Sequence, residues 1–227
     1  MFSWLKIKRP APIIFRKRLL NKLAAHESCY WISFITDPIT ALFLVFWDIA
    51  VLRSNLVVLI ACYLVGLLNW TFLEYAFHRW IYHKGRTLAH AGHTMHHNSP
   101  RMLIGMPWFV TAGFLWGVWY VLGYSLQVRF VLSFMGGLAT GLFCYSTFHH
   151  ILHHFNLRDS WYQELKIHHQ VHHRLPNVNF GVTSRFWDRR FGTMYRHRPE
   201  KKKYFPQVEN QLWLESATVR EHSTQPD

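Results

Sequence analysis

The chain has 227 residues, half of them hydrophobic and 17% aromatic, and carries a formal net charge of +13. That length suits one sizeable domain with a small appendage. The charge alone would fit a nucleic-acid binder, but Lys and Arg are gathered at 6–22, 84–101 and 158–203 with long apolar stretches between them, which disfavours nucleic acid and fits a membrane protein with its basic segments on one side.

In chain order, residues 1–30 read as a basic arm. Within it, residues 12–29 mix Ile13, Ile14, Phe15, Leu19, Leu20 and Leu23 with Arg16, Lys17, Arg18 and Lys22, the pattern of an amphipathic helix lying among lipid headgroups. No small-residue cleavage site follows a short apolar core, so no removable signal peptide is expected. Four apolar segments follow, at 31–52, 55–77, 107–125 and 128–148, each near the length a helix needs to cross a bilayer. Asp37 and Asp48 interrupt the first, and Pro38 is expected to kink or start a helix there. The turn between segments one and two carries only Arg53, and that between three and four only Arg129. The positive-inside rule then puts both termini and the middle connection on the cytoplasmic side.

Beyond the fourth segment a short helix is expected over 161–173, followed by a Pro-Asn-Val-Asn turn and an aromatic stretch. From 199 to 227 the chain is polar, and its last dozen residues are expected to be disordered. The fold expected is all-α: an integral membrane domain over 31–198 with about four transmembrane helices in two hairpins, under a cytoplasmic histidine-rich helical cap. Cys29, Cys62 and Cys144 stand singly in or beside apolar runs, so no disulfide framework is implied.

Ten of the 17 histidines fall into four clusters. They are His78 and His83; His93, His96 and His97; His149 and His153; and His169, His172 and His173. Imidazole is the commonest metal-binding side chain. Helical residues three and four apart share a face, so each of the last three clusters converges if its segment is helical. His78 and His83, five apart, lie about 140° around an ideal helix. They would serve different metals unless the helix ends between them. Ten imidazoles exceed what one ion takes, which favours a dinuclear site. With no thiolate in any cluster, structural zinc of the Cys type is disfavoured, while zinc, copper and iron all remain open.

Carboxylates are scarce. Glu74, one turn before His78, is a candidate to orient an imidazole N–H or to add a ligand, and Glu164 and Asp159 are lesser ones. His90, three before His93, and His154, beside His153, are further candidates for an extra ligand or a supporting role. His154 ranks above His150 and His168. His26, His197 and His222 read as surface residues.

The boxes His78-Arg-Trp-Ile-Tyr-His83, His93-Thr-Met-His96-His97, His149-His-Ile-Leu-His153-His154 and His169-Gln-Val-His172-His173 resemble, in order and spacing, those of the fatty acid hydroxylase superfamily. That group includes sphingolipid fatty acid 2-hydroxylases, sterol desaturases and sterol C4-methyl oxidases. Leu73-Glu74-Tyr75 before the first box and the tail from Asn179 to Thr193 resemble it too. The resemblance covers roughly residues 65–195. It implies a membrane di-metal oxygenase whose two irons, held by the ten histidines, activate O2 to oxidise a lipid C–H bond. The substrate would come from the bilayer, most simply a fatty acyl chain, with a sterol or carotenoid as the alternative. Zinc is expected to compete for the site in isolated protein.

Two departures bear on the substrate. Ser146 follows Tyr145 where 2-hydroxylases often carry Asp, and Pro100-Arg101-Met102 stands where they tend to have Pro-x-Asp. No His-Pro-Gly-Gly motif of a fused cytochrome b5-like domain is present, so the resemblance implies a separate ferredoxin- or cytochrome b5-like electron donor. A histidine-rich metal transporter is the competing reading, but transport sites sit near the bilayer midplane, not at one end of the spans. A haem protein needs two axial ligands on facing helices, not ten.

Overall fold

The computed structural model of the chain describes residues 26–84, 87–105 and 107–196, and every element among them is helical. The amphipathic arm falls within these residues only at its end, and the polar tail from 199, with His197 and His222, lies outside the described residues. Helix α1 (Glu27–Ala50) contains Pro38, so the helix starts well before that residue. Helix α2 (Leu56–Ala76) starts at Asn55, whose side chain accepts the N–H groups of Val57 and Val58, and continues without a break into a π-helical turn, Phe77–Tyr82. Helix α3 (Leu88–Asn98) is capped by Thr87. Helix α4 (Trp108–Val118) passes into a second π-helical segment, Trp119–Ser125. Helix α5 (Val131–His154) is followed by α6 (Ser160–Arg174), capped by Asp159, and the short α7 (Phe186–Arg190).

Among the described residues, three helices are long and apolar enough to cross a membrane: Glu27–Ala50, Leu56–Tyr82 and Val131–His154. Their outer faces leave Ile35, Leu42, Phe46, Val57 and Leu68 more than half exposed, side chains that lipid accommodates and water does not. The protein is an integral membrane protein. The expected third segment, 107–125, is helical but differs from the others. Its α-helix spans 11 residues, and at Trp119 the helical step widens into the π segment.

Helix α5 lies between α1 and α2 and packs closely on both, so the first two helices, though joined by a short turn, meet through a third. Small residues make this possible. A Cβ at Gly137 would sit 2.0 Å from the Tyr63 carbonyl oxygen, one at Gly66 2.0 Å from that of Phe134, and one at Gly141 2.4 Å from Cβ of Trp70. Gly137 and Gly141 are one turn apart, the small-x-x-x-small spacing by which membrane helices approach closely. One turn before Gly137, at the start of α5, the buried Asp48 of α1 accepts the Ser133 N–H at 3.0 Å and the hydroxyls of Ser133 and Ser54. Ser133 N–H belongs to the first turn of α5, whose amides have no partner within the helix. The carboxylate inside the first span therefore satisfies a helix end.

A testable consequence concerns the glycine contact. Replacing a helical glycine by alanine normally gains about 1 kcal/mol, whereas overpacking costs about 1–3 kcal/mol. Gly137→Ala drives a methyl into backbone and is expected to lower the thermal unfolding midpoint in detergent. Gly113→Ala, with nothing within 4 Å, should leave it unchanged or raised.

Candidate metal centre

The histidines are delivered by the ends of four helices. His78 sits in the π turn after α2 and His83 caps it; α3 carries His93, His96 and His97; the last turns of α5 carry His149 and His153; α6 carries His169, His172 and His173. Their ring nitrogens gather into two groups of five: His78, His83, His93, His97 and His172, and His96, His149, His153, His169 and His173, the nitrogens of each group lying within 4.8 Å of one another. The boxes interleave, since neighbours one residue apart, such as His96 and His97 or His172 and His173, point into different groups.

The pairing of His78 with His83 departs from the expectation that they serve different metals. On an α-helix they would diverge, but a π-helix bonds i to i+5 and winds more residues into each turn, bringing both to one side. Their rings stack, with centroids 5.3 Å apart.

Within the first group, Nε2 of His93 is 3.1 Å from that of His78, 3.0 Å from that of His83 and 3.0 Å from that of His97; Nε2 of His172 is 3.0 Å from that of His83 and 3.1 Å from that of His97. In the second, His169 Nε2 lies 2.8 Å from that of His153 and 3.1 Å from that of His173. Backbone carbonyls fix the tautomers of two rings. Nδ1–H of His78 donates to the Phe180 carbonyl and Nδ1–H of His172 to that of Val178 at 2.7 Å, leaving Nε2 of each as a bare lone pair. With every such nitrogen unprotonated, as metal binding requires, five lone pairs converge on a point and repel one another unless a cation stands between them. Buried polar atoms without partners are rare in native proteins. Here both ring nitrogens of His96 and Nδ1 of His169 and His173 have none among the described residues. The donor set fits a transition-metal ion. Two nitrogens about 2.1 Å from one ion would be about 3.0 Å apart at right angles and about 3.4 Å apart at a tetrahedral angle. The observed spacing matches the former.

Burial pushes His96 and His173 down to about 2, His172 to about 3 and His83 to about 4, with neighbouring imidazoles adding to the shift. Burial likewise lowers His93, His97 and His169. These rings are neutral near pH 7, the form that binds metal.

The supporting residues differ in part from the sequence expectation. The Glu74 carboxylate is hydrogen-bonded to no imidazole among the described residues. It accepts the N–H of Val182 at 3.0 Å, that of Thr183 at 2.9 Å and the Thr183 hydroxyl at 2.7 Å, and so pins the strap whose Phe180 carbonyl orients His78. His90 and His154 lie outside both groups. Nδ1–H of His90 donates to the Tyr82 carbonyl, and His154 is exposed and stacked on His150. Of the motif neighbours the buried one is His168, not His154. Its Nε2 lies 3.0 Å from Oδ2 of Asp188. Asp188 was missed by sequence reasoning. Although burial alone would raise its pKa, contacts from His168, Thr193 and the amides of Gly181 and Phe180 hold it below the ordinary value. A lone carboxylate in an Arg-rich stretch reads as a surface residue. Asp159 caps α6, and Glu164 pairs with Arg185 at the surface.

A cavity of about 420 Å³ opens beside the groups, with His93 of the first and His96 and His149 of the second in its wall. Most of the remaining lining is apolar or aromatic, including Phe34, Trp70, Phe77, Phe114 and Leu142, and Tyr145 stacks on His149.

Residues 63–193 match the family model described as fatty acid hydroxylase. A dihydroceramide fatty acyl 2-hydroxylase of Arabidopsis thaliana is 31% identical over 57% of this chain and 58% of its own length. A ceramide very long chain fatty acid hydroxylase of Saccharomyces cerevisiae is 31% identical over 74% of this chain and 46% of its own. The chain thus spans about half the length of these relatives. In fold it is similar to a solved structure of full-length scs7p in which only the hydroxylase domain is visible, with a TM-score of 0.64 at 24% identity, over 74% of this chain and 67% of that one.

The depressed histidines give a pH prediction for metal-free protein. Each binds its proton less tightly folded than unfolded, where the ordinary value is about 6.5. The stability they contribute is whole above about pH 6.5 and is lost as pH falls through the folded values. Thermal unfolding followed from about pH 7 down to about pH 4 should show a falling midpoint; a flat profile would show that the rings are not held neutral by the fold.

Proposed function

The chain belongs to the fatty acid hydroxylase family, and from that premise we propose that it is an O2-dependent membrane oxygenase that hydroxylates a C–H bond of a lipid, most simply on a fatty acyl chain. The observation that carries this reading is the pair of five-imidazole groups bordering one largely apolar cavity. A lipid chain lying in that cavity passes both groups. The related proteins are named as hydroxylases of ceramide-linked acyl chains, which supports the same substrate class.

His78, His83, His93, His97 and His172 would hold one iron and His96, His149, His153, His169 and His173 the other. Five nitrogen donors exceed the four usual for structural zinc. When bound, the two irons would supply the activation of O2. The chain's own residues do the rest. The Phe180 and Val178 carbonyls hold two imidazoles in the metal-binding tautomer, and Glu74 and Asp188 hold the strap that carries those carbonyls. The apolar walls admit an alkyl chain and exclude water.

Hydroxylation with O2 needs two electrons and two protons besides the substrate, one oxygen atom leaving as water. A ferredoxin- or cytochrome b5-like protein would supply the electrons. Lys84, Arg101, Arg158, Arg174, Arg189 and Arg190 are exposed in the segments around the histidines and would attract an acidic donor. By the positive-inside rule their charge also supports a cytoplasmic position for this side and for both termini.

Two outcomes test the reading. Purified protein should bind two irons per chain, and His96→Ala or His97→Ala should each cut this toward one while membrane insertion is kept. In cells expressing the chain, lipid mass spectrometry under 18O2 should find an acyl product carrying one labelled oxygen. Either variant should lower it on the order of 100-fold or more, beyond the 10–100-fold typical of residues that merely support a ligand. Full activity in both variants would sink the ligand assignment.

A further inference from the structure

The cavity is not apolar throughout. Along α1, Tyr30, Ser33 and Asp37 fall at i, i+3 and i+7, on one face, and all three line it; Thr111 of α4 joins them from the facing wall. Asp37 is buried at 4% exposure in the third turn of a membrane-spanning helix. Across the cavity it faces the Thr111 hydroxyl, which itself donates to the Trp108 carbonyl at 2.8 Å. The ion pairs among the described residues, His168 with Asp188 and Arg185 with Glu164, do not involve it. Asp48, the other carboxylate of α1, has three donors, two from Ser133 at the start of α5 and one from Ser54, so its burial is accounted for within the fold. That of Asp37 is not. A carboxylate facing an apolar cavity costs several kcal/mol unless a donor meets it, and intramembrane ionisable groups commonly mark function.

Its depth can be read from two contacts. The Tyr30 hydroxyl is 2.7 Å from Nδ1 of His150, which sets Tyr30 level with the metal-facing end of α5. Further along, Gly136 abuts Val45 and the Ala41 carbonyl. Asp37 lies seven residues beyond Tyr30, two turns or about 10 Å from the level of the histidines. Leu142, two turns before His149, lines the cavity at the matching height on α5.

We propose that Asp37 is a specificity-determining residue: the lipid this chain takes bears a hydroxyl about 10 Å from the carbon presented to the metal groups, and Asp37, with Thr111, accepts that hydroxyl's hydrogen bond. This rests on the lipid-hydroxylase reading and narrows its substrate class. A plain alkyl chain would leave the carboxylate facing methylene groups, and a site built to bond a hydroxyl discriminates against the analogue lacking it.

The test uses the metal-loaded full chain in lipid nanodiscs, with binding as the readout, so that no turnover is needed. The probes are octadecanoate and octadecanoate bearing a hydroxyl near its middle. The wild-type protein is expected to bind the hydroxylated probe at least about 10-fold more tightly. Asp37→Leu should abolish or invert that ratio with metal content unchanged, and Asp37→Asn, which keeps an accepting oxygen, should retain most of it. A structural role alone would lower stability in Asp37→Leu and leave the ratio standing, which would overturn the proposal. Equal wild-type binding of the two probes would do so as well, and that comparison decides the matter even if Asp37→Leu does not fold. Preference for the hydroxylated probe without any oxygenated product would instead count against the hydroxylase reading and leave the assignment of Asp37 in place.

Discussion

Ten imidazoles, four of them buried and six partly buried, bring ring nitrogens to about 3 Å of one another, and in the metal-binding tautomer each such nitrogen is a lone pair facing other lone pairs. Nothing in such a cluster is attractive by itself. The rings have lost water, lone pair faces lone pair in that tautomer, and burial opposes the protonation that would relieve the repulsion. A cation reverses the sign of every one of these terms at once, because the same lone pairs become its ligands. The rest of the molecule can be understood as the frame needed to hold this arrangement before that cation arrives.

The frame works through carbonyls and carboxylates set one step back. The strap of residues 178–183 offers the carbonyls of Val178 and Phe180 to His172 and His78. Asp188 gathers the amides of Phe180 and Gly181 with His168 and Thr193, and Glu74 of α2 reaches the amides of Val182 and Thr183. Two buried acids thus clamp one strap to two helices. Below it the glycine face of α5 draws α2 close enough for Trp70 to lie against Gly141, and Trp70 is also part of the cavity wall. Close helix approach, strap and metal groups form one mechanical chain.

Much of this was legible in the sequence. Box spacing alone identified all ten histidines that the structure gathers, because three- and four-residue spacing on a helix leaves little geometric freedom. Of the four apolar runs expected to span, three became the long helices, since bilayer thickness constrains length, while 107–125 formed a shorter helix with a π segment. What stayed hidden depended on long-range geometry. His168 and His154 are each adjacent to a box histidine, and only the fold decides that one meets Asp188 while the other faces outward. Glu74 lies one turn from His78 in sequence, yet its carboxylate points to a strap more than a hundred residues on. The assignment of His78 and His83 to one group required a backbone step that periodicity at 100° per residue does not contain.

That step has a consequence of its own. A π turn is, in counting terms, one surplus residue carried inside a helix. Between Phe77 and Tyr82 the chain keeps this surplus without a loop, and the angular position of His83 is set by how many residues precede it as well as by which residue it is. Removing one residue from this turn would restore the ordinary α step and swing everything after it by about 100°. All ten histidines would still be present, yet the first group would lose its closure. The first box is therefore written partly in chain length, and a comparison of side-chain identities alone would not notice its loss.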